Sequence, residues 1–307
     1  MRVGVVVPMS GGPDAAALLH DYAVRAERLG FDSLWTWERL LSAVHPRTPY
    51  GGASSTYTAT KEMPNQHKNV MGPTEVMAAI AAWTERVRIG TAILVMAFAN
   101  PVALAKRLAT VDVLSGGRLI AGLGLGWSED EHIAGGVEYA TRGARSEEFI
   151  EVLTKCWMED PVTHVGRFFQ VPAAFIGPKP VQQPRPPLVF GLWSKSGLAR
   201  TARLADGWTT GGGMTLSDVL EARDWMNAQR PAGRPPLTIH YRLVLQLPVP
   251  RRPDLSIAEV LDEIARAQKA GIDEVIVDPT YSHWSSTPEG WRSFLEATAP
   301  AMESVRA

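Results

Sequence analysis

The stretch from Arg86 to Asp130 constrains the fold of this chain more than any other. It opens with a nearly continuous apolar run from Val87 to Val95, the pattern of a strand that is buried on both faces. Asn100 and Pro101 follow, and they supply a helix N-cap and a proline in the first helical turn. Apolar residues then recur at helical spacing as far as Val113. A buried strand followed by a crossover helix is therefore predicted here.

The second half of the same stretch completes a βαβ unit. Gly116 and Gly117 end the helix, and an apolar run from Leu119 to Leu123 forms a second strand. That strand leads into the loop Gly124 to Trp127, which has little side-chain bulk because two of its four residues are glycines. The ends of both strands would therefore allow a flat ligand to approach the main chain.

Composition excludes several classes of protein. The chain has 307 residues and a net charge of -1, from 31 basic and 32 acidic side chains. No basic stripe is present that would follow a nucleic acid, so that partner is not expected. The single cysteine, Cys156, excludes an internal disulfide framework and fits a reducing compartment. Its place beside Trp157 on a helical apolar stripe favours a core position over a nucleophile.

Neither a leader nor a membrane segment is expected. Met1 and Arg2 lead directly into the apolar run Val3 to Val7, which is too short and wrongly flanked for a signal peptide. No apolar run has the length of a membrane span. A cytoplasmic protein without a membrane partner is therefore predicted.

Eight short apolar strands alternate with helices along the whole chain, which predicts an α/β fold, a parallel (β/α)8 TIM barrel. A doubly wound open sheet is the structural alternative, but no G-x-G-x-x-G follows the first strand. The predicted strands are Val3 to Val7, Ser33 to Trp37, Val87 to Val95, Leu119 to Leu123, Leu188 to Phe190, Gly207 to Thr210, Leu237 to Leu247 and Glu274 to Val277.

The barrel is predicted to be one domain over residues 1–307, with an insertion after its second strand. Leu40 to Gly72 contains Pro46, Pro49, two glycines and a Ser/Thr cluster without sustained periodicity. A loop of this length inside a compact domain is either an active-site lid or partly disordered.

The working face of such a barrel is formed by the carboxyl ends of its strands. The candidate site residues are therefore Met9, Trp37 to Arg39, Thr91 to Met96, Gly124 to Trp127, Gly191 to Ser196, Thr209 to Gly213, Gln246 and Asp278 to His283. No metal-ligand cluster is found among them, so no metal site is predicted. Four histidines (His45, His67, His132 and His164) fall on loops or turns and are interpreted as solvated. No G-x-S-x-G elbow is present to anchor an acyl-transfer triad.

One loop has the composition of an anion site. Gly191 to Gly197 feeds the start of a helix and carries Ser194, Lys195 and Ser196. Backbone N–H groups, hydroxyls and an ammonium at a helix N-terminus form a natural seat for phosphate. An ordinary βα loop with a serine cap has the same composition, so both interpretations stay open at this point.

The motifs together resemble the bacterial luciferase-like superfamily of flavin- and deazaflavin-dependent (β/α)8 oxidoreductases. The resemblance is strongest to the group described as F420-dependent oxidoreductases, in which the second strand ends in a similar Trp-x-Glu-Arg segment. The matching segments occur in family order over the first two-thirds of the chain: Ala26 to Trp35, Arg86 to Trp127, Arg142 to Trp157, Pro178 to Gly191 and Ala199 to Trp208.

The resemblance implies where a cofactor would bind. A non-prolyl cis peptide at the end of the third strand would lie between Ala92 and Ile93 and support one face of an isoalloxazine-type ring. The implied cofactor-binding residues are Ala92, Ile93 and Leu94 at this bulge, Gly124, Leu125, Gly126 and Trp127 beside the ring or ribityl chain, and Gly191, Leu192, Trp193, Ser194, Lys195 and Ser196 at the phosphate.

The resemblance also assigns Glu38 and Arg39 to the reactive face, as the candidate catalytic residues. A sugar-oxidising relative has a histidine where this chain has Arg39, and an acid where it has Trp127, so that relative's substrate does not transfer. Glu38 is the candidate for proton handling, since burial raises the pKa of a carboxyl group. A salt bridge to Arg39 or a brace for the loop is the structural alternative.

The predicted activity is hydride transfer between coenzyme F420 and a small organic substrate. The alternatives are an FMN-dependent luciferase-like monooxygenase and a non-catalytic flavin-binding protein. Arginine outnumbers lysine, as in a GC-rich genome, which adds a weak hint for F420. Trp35, Trp37, Trp127 and Trp193 supply flat walls or belong to the core, and for Trp35 the core is favoured. A homodimer is implied by analogy with relatives.

Overall fold

A computed structural model describes residues 1–50, 63–246 and 254–306 of the chain. The strands are β1 (Arg2–Val6), β2 (Ser33–Thr36), β3 (Arg88–Thr91), β4 (Leu94–Val95), β5 (Leu119–Gly124), β6 (Val162–Val165), β7 (Gln170–Ala174), β8 (Leu188–Phe190), β9 (Gly207–Thr209), β10 (Thr238–Val244) and β11 (Glu274–Asp278). The insertion predicted for residues 40–72 is described in part, because residues 51–62 lie outside these ranges.

The described α-helices are α1 (Ala15–Arg28), α2 (Pro73–Trp83), α3 (Pro101–Leu114), α4 (Glu129–Ala134), α5 (Arg142–Met158), α6 (Lys195–Leu204), α7 (Leu216–Ala228), α8 (Ile257–Lys269), α9 (Pro288–Thr298) and α10 (Pro300–Arg306). None of the helices in the described ranges has the length and apolarity needed to cross a membrane.

The sheet closes on itself, which confirms the predicted barrel. Its strand order is β3-β2-β1-β11-β10-β9-β8-β5, and β3 pairs with β5 to complete the circle. All of these pairings are parallel. β4 also pairs with β5 and continues the position of β3 beyond Ala92 and Ile93. The third strand, predicted as one run from Val87 to Val95, is therefore two short strands separated by a bulge.

The predicted helix caps around this unit are confirmed. The Asn100 side chain accepts hydrogen bonds from the Val102 and Ala103 amides, with Pro101 as the first helical residue of α3. Gly116 and Gly117 both have positive φ, a conformation that glycine adopts without a Cβ penalty. A capping box of Ser256 with Glu259 forms the start of α8.

Two helix ends are irregular. α5 begins at Arg142, directly after the short 3-10 helix Tyr139–Thr141. At the end of the chain, α9 and α10 are separated by a break at Ala299 and Pro300. Proline has no N–H to continue the helical hydrogen bonding.

The barrel interior is packed around Trp35, which is fully buried, as the core interpretation predicted. A Cβ on Gly90 would lie 2.6 Å from Trp35 Cε3, and one on Gly4 would lie 2.8 Å from Trp35 Nε1. The indole therefore occupies the space that these two glycines leave. Its Nε1 donates to the Ser33 hydroxyl at 2.7 Å and to Glu274 at 3.1 Å. His240 Nδ1 lies 2.8 Å from the other Glu274 oxygen, so this buried carboxylate has several polar partners.

Candidate active site

The bulge after β3 is the first feature of the site. The peptide bond between Ala92 and Ile93 is cis, as the resemblance implied. The Ile93 side chain lies between two glycine-bearing strand ends. A Cβ on Gly191 would approach Ile93 Cγ2 to 2.7 Å, and a Cβ on Gly124 would clash with Ile93 Cδ1. The absence of side chains at these two glycines is thus what gives Ile93 its place.

This packing brings three predicted segments together, residues 92–94, 124–127 and 191–196. The Ile93 side chain packs where Gly124 and Gly191 have no side chains. The Gly191 amide donates to the Leu123 carbonyl at 3.0 Å. Leu94 is buried, and Leu125 packs partly buried against the core. The Ile93 side chain fills the space that Gly124 and Gly191 leave, and an apolar surface of this kind suits a flat ring.

Trp127 lies where the loop after β5 turns toward the insertion. Gly126 reaches this turn with φ +75°, and a Cβ at this position would lie 2.7 Å from Val95 Cγ1 and 2.9 Å from His132 Cε1. The Arg39 guanidinium carbon lies 4.8 Å from the Trp127 ring centroid, within the range of a cation–π contact. The Tyr50 ring lies edge-on to the indole, with centroids 5.5 Å apart. Trp127 is half-buried and is therefore part of the wall of the site.

The segment Gly191 to Ser196 runs into the N-terminus of α6. Ser194 is the N-cap, and its hydroxyl accepts from the Gly197 amide at 3.1 Å. The Ser194 and Ser196 hydroxyl oxygens are 3.3 Å apart, and the side chains of residues 194–196 are exposed. Leu192 is buried, whereas Trp193 is 49% exposed. A capped helix start with two hydroxyls and an ammonium is able to bind an anion such as phosphate.

Glu38 lies directly after β2 and beside the bulge. Its Oε2 accepts a hydrogen bond from the Val95 amide at 2.5 Å. Burial raises the pKa of Glu38 to about 7, against the opposing effect of that hydrogen bond, and the nearby carboxylate of Glu131 adds to the rise. A carboxyl group with a pKa near neutrality is able both to give and to take a proton at physiological pH.

Arg39 pairs with Glu131 rather than with Glu38, so the alternative of a Glu38–Arg39 salt bridge was wrong. Arg39 Nη1 lies 2.6 Å from Glu131 Oε2, and the two side chains are 8% and 3% exposed. The other carboxylate oxygen accepts from the Leu40 amide at 2.7 Å. Glu131 belongs to α4, four residues beyond Trp127. It was not predicted as a site residue because the family resemblance indicated an acid only at position 127.

The interpretation of four histidines as solvated was wrong for three of them. His67, His132 and His164 are buried, whereas His45 is exposed. His67 lies in the short 3-10 helix Asn65–His67 of the insertion. Its ring centroid is 5.2 Å from those of Trp37 and Tyr50 and 5.9 Å from that of Tyr281. The aromatic residues around it are far apart in sequence, so local pattern gave no sign of this cluster.

Arg242 was also missed. It lies within β10, and its Nε donates to Asp278 Oδ2 at 2.9 Å, with Nη2 at 2.5 Å from the same oxygen. The other oxygen of Asp278 accepts from the Thr280 amide and hydroxyl. An arginine inside an otherwise apolar predicted strand needs a buried partner, and that signal was present in the sequence. Within the described residues, no group of His, Cys, Asp or Glu side chains has the arrangement of a metal site.

Comparison with known proteins places these features in a family. Residues 1–250 match the family described as luciferase-like monooxygenase. The chain is 34% identical over 205 residues to an F420-dependent glucose-6-phosphate dehydrogenase of Amycolatopsis mediterranei, covering 64% of this chain and 55% of that protein. It is 32% identical over 181 residues to an FMNH2-dependent dimethylsulfone monooxygenase of Pseudomonas putida, covering 57% of this chain and 48% of that protein.

A solved structure supports the same fold over the whole chain. The crystal structure of a monooxygenase from Streptomyces bottropensis superposes with a TM-score of 0.79 at 20% identity, and the match covers 100% of both chains. At this identity the likeness shows the fold alone.

Proposed function

We propose that this chain, which belongs to the luciferase-like monooxygenase family, transfers a hydride between coenzyme F420 and a small organic substrate. Family relatives use either F420 or FMN, and the two named above are similar to this chain to nearly the same extent. The hydride transfer, whichever cofactor takes part, is supported most by one observation: the Glu38 carboxyl group, whose pKa burial raises to about 7, lies beside the bulge of the third strand. The choice of F420 rests on the resemblance of the end of the second strand to the F420-dependent group.

The residues that would hold the cofactor are the three segments that meet at Ile93. Ala92, Ile93 and Leu94 would support the ring, and residues 124–127 would line its side. The start of α6, with Ser194 and Ser196, would hold the phosphate through hydroxyl and backbone N–H groups. When bound, the deazaflavin ring supplies the hydride.

Glu38 would handle the proton that accompanies hydride transfer. Reduction of a carbonyl group needs a proton at oxygen, and oxidation of an alcohol releases one. A carboxyl group whose pKa is about 7 performs either task with little free-energy cost near neutral pH. In this proposal Arg39 holds the loop after β2 through Glu131 and contributes positive charge near the ring.

A FMN-dependent monooxygenase is the second candidate, because a relative that requires FMNH2 covers 57% of this chain at 32% identity. Both cofactors offer a tricyclic ring and a phosphate, so the three segments suit either. A protein that binds a cofactor without turning it over would correspond to the non-catalytic alternative.

The two cofactors are distinguished by titrating the purified protein with each and following fluorescence quenching. We expect saturable binding of F420, and oxidation of reduced F420 when a panel of ketones and aldehydes is added. Tight FMN binding with no response to F420 would contradict the proposal. A Ser194→Ala/Ser196→Ala variant tests whether the predicted phosphate seat contributes to cofactor affinity. The matched control is Ser304→Ala, an exposed serine in α10 at the end of the chain.

A further inference from the structure

Five aromatic rings form a continuous set of contacts among the loops that follow the strands. The Tyr50 ring centroid lies 5.5 Å from that of Trp127 and 5.2 Å from that of His67. The His67 centroid lies 5.2 Å from that of Trp37 and 5.9 Å from that of Tyr281. The hydroxyls of Tyr50 and Tyr281 are 3.0 Å apart. We call these five residues the aromatic wall.

The two ends of the aromatic wall lie after the two strands that neighbour β3. Trp37 directly follows β2 and Trp127 belongs to the loop after β5, and both strands pair with β3 in the barrel. The residue after Trp37 is Glu38, which accepts a hydrogen bond from the Val95 amide just beyond the bulge. A substrate that reacts over a ring supported by the bulge therefore lies beside the aromatic wall.

The aromatic wall is rigid but not closed. Trp37 and His67 are 7% and 4% exposed, so they are held by the packing around them. Trp127, Tyr50 and Tyr281 are only half-buried, and each is in contact with another ring of the wall. Partly accessible aromatic rings in fixed positions favour flat apolar groups, which pack against them in stacked or edge-to-face arrangements.

The arginines of this region carry charges that are already balanced. Arg39 pairs with Glu131 at 2.6 Å, and Arg242 pairs with Asp278 at 2.5 Å. The two carboxylates are 3% and 0% exposed, so both ion pairs are shielded from water on the carboxylate side. An anionic substrate would lose hydration on entering and would find no uncompensated charge at either arginine.

Trp127 is the member of the aromatic wall that lies in a segment assigned to the cofactor. The Arg39 guanidinium carbon lies 4.8 Å from the indole centroid, and the Tyr50 ring meets the indole at an angle of 79°. These two contacts fix the orientation of an indole that keeps part of its surface accessible. A fixed, half-exposed indole beside the reacting groups is able to discriminate between substrates by their shape.

We infer that the substrate is an uncharged ketone or alcohol whose reacting carbon is attached to a flat, unsaturated ring, and that Trp127 selects it by stacking. This inference rests on the proposed function. A flat ring contacts an indole over its whole face, whereas a puckered ring of the same size touches it at fewer atoms. Substrates that carry a carboxylate or a phosphate are excluded, because the charges of Arg39 and Arg242 are balanced within the protein.

Three ketones test the shape and the charge of the substrate separately. Acetophenone is flat and uncharged, cyclohexyl methyl ketone has the same number of carbon atoms in a puckered form, and 4-acetylbenzoate is flat and anionic. Their Kd values are measured by calorimetry on protein loaded with the oxidised cofactor that it binds, a state in which no ketone is reduced.

We expect acetophenone to bind about three- to tenfold more tightly than cyclohexyl methyl ketone. We expect 4-acetylbenzoate to bind about a hundredfold more weakly than acetophenone, or less. Acetophenone binding that is no tighter than that of either other ketone would overturn the inference. The absence of measurable binding by all three ketones up to their solubility would overturn it as well.

Substitution of Trp127 tests whether the indole is the source of the shape preference. Trp127→Leu keeps an apolar side chain and removes the flat surface, so acetophenone and cyclohexyl methyl ketone should bind to within about twofold of each other. The matched control is Trp225→Leu, which removes a half-buried tryptophan from α7 and should keep the preference of the parent. An unchanged preference in Trp127→Leu would contradict the role of Trp127.

Substitution of Glu131 tests the charge argument. Glu131→Gln leaves the charge of Arg39 uncompensated, so the affinity for 4-acetylbenzoate should rise about tenfold or more, whereas that for acetophenone should stay within about threefold of the parent. A folded variant with no gain for 4-acetylbenzoate would contradict the exclusion of anions by charge balance. If the variant does not fold, the comparison of the three ketones on the parent protein decides.

The same samples keep this inference apart from the proposed function. Cofactor binding is measured first, and the three ketones are also titrated into cofactor-free protein, because the aromatic wall consists of side chains of the chain itself. A protein that binds F420 but lacks the expected order of ketone affinities contradicts the inference alone. A protein that binds no F420 contradicts the proposed function, whatever the order of the ketones.

Discussion

The chemical properties of individual site residues depend on burial more than on the local sequence pattern. Glu38 was a candidate from the sequence because it follows an apolar strand at a barrel's working end, and its burial in the structure raises its pKa. Its partner could not be predicted, since the Val95 amide reaches it only because the third strand is interrupted by a bulge. Arg39 was assigned to the same face, but its contact with Glu131 depends on a helix whose position no spacing in the sequence reveals.

Replacing Glu38 by glutamine should change how stability depends on pH. Since burial raises the folded-state pKa of Glu38 from 4.5 to about 7, the folded protein binds more protons than the unfolded chain between these values. The free energy of unfolding therefore falls as pH rises from about 4.5 to about 7, by roughly 3 kcal/mol from this group. Glu38→Gln lacks that contribution, so its stability relative to the parent should rise over this window.

Urea unfolding of both proteins from pH 4 to pH 8 measures this difference, and the other carboxyl groups cancel in the comparison. A constant difference across the window would show that Glu38 titrates normally. In the active holoenzyme, the same substitution should remove an apparent pKa near 7 from the pH profile of kcat/KM.

Removing the charge of Glu131 should destabilise the protein strongly. Glu131→Gln keeps an oxygen for the Leu40 amide but leaves the buried Arg39 guanidinium without a counter-charge. Breaking a buried ion pair in this way costs about 3–5 kcal/mol, and urea unfolding at pH 7 reads it directly. The control is Glu289→Gln, whose ion pair with Arg292 has a carboxylate that is 79% exposed and should cost less than about 1 kcal/mol. Similar losses for both variants would argue against a structural role for the Arg39–Glu131 pair.

At the scale of elements, strands and caps were predictable, whereas interruptions of elements were not. The apolar run Val87 to Val95 reads as one strand, and only the resemblance to a known family indicated a break at Ala92 and Ile93. Gly124 and Gly191 were predicted to lie beside the cofactor. In the structure both lie against the side chain of Ile93, so their first role is to leave room for the bulge.

Substituting Gly191 by alanine tests this packing. The added Cβ would lie 2.7 Å from Ile93 Cγ2. This methyl carbon is bonded to the branched Cβ, close to the backbone, and has little freedom to move. We expect a loss of about 1–3 kcal/mol in the free energy of unfolding and weaker cofactor binding. Gly177→Ala is the matched control, since nothing lies within 4 Å of a Cβ at that position. Tolerance of Gly191→Ala with unchanged affinity would show that Ile93 does not shape the seat.

At the scale of the whole molecule, the alternation of strands and helices was enough to predict the closed barrel. The alternation was not enough to predict which loops meet across the barrel's open end. His67 and Tyr281 are 214 residues apart, and Arg39 and Glu131 are 92 apart. Closure places β11 beside β1 and thus near β2, which brings Tyr50 and His67 against Tyr281 in the loop after β11. The last third of the chain, which contributes only its first residues to the segments quoted for the resemblance, supplies Arg242, Asp278 and Tyr281 to this meeting point.

A crystal structure of the protein soaked with F420 tests the central claim most directly. We expect the deazaflavin ring to lie over Ala92 and Ile93 with residues 124–127 along its edge, and its phosphate to accept hydrogen bonds at Ser194 and Ser196. A ring bound away from the end of the third strand, or a phosphate far from the start of α6, would contradict the assignment of this barrel as an F420-dependent oxidoreductase.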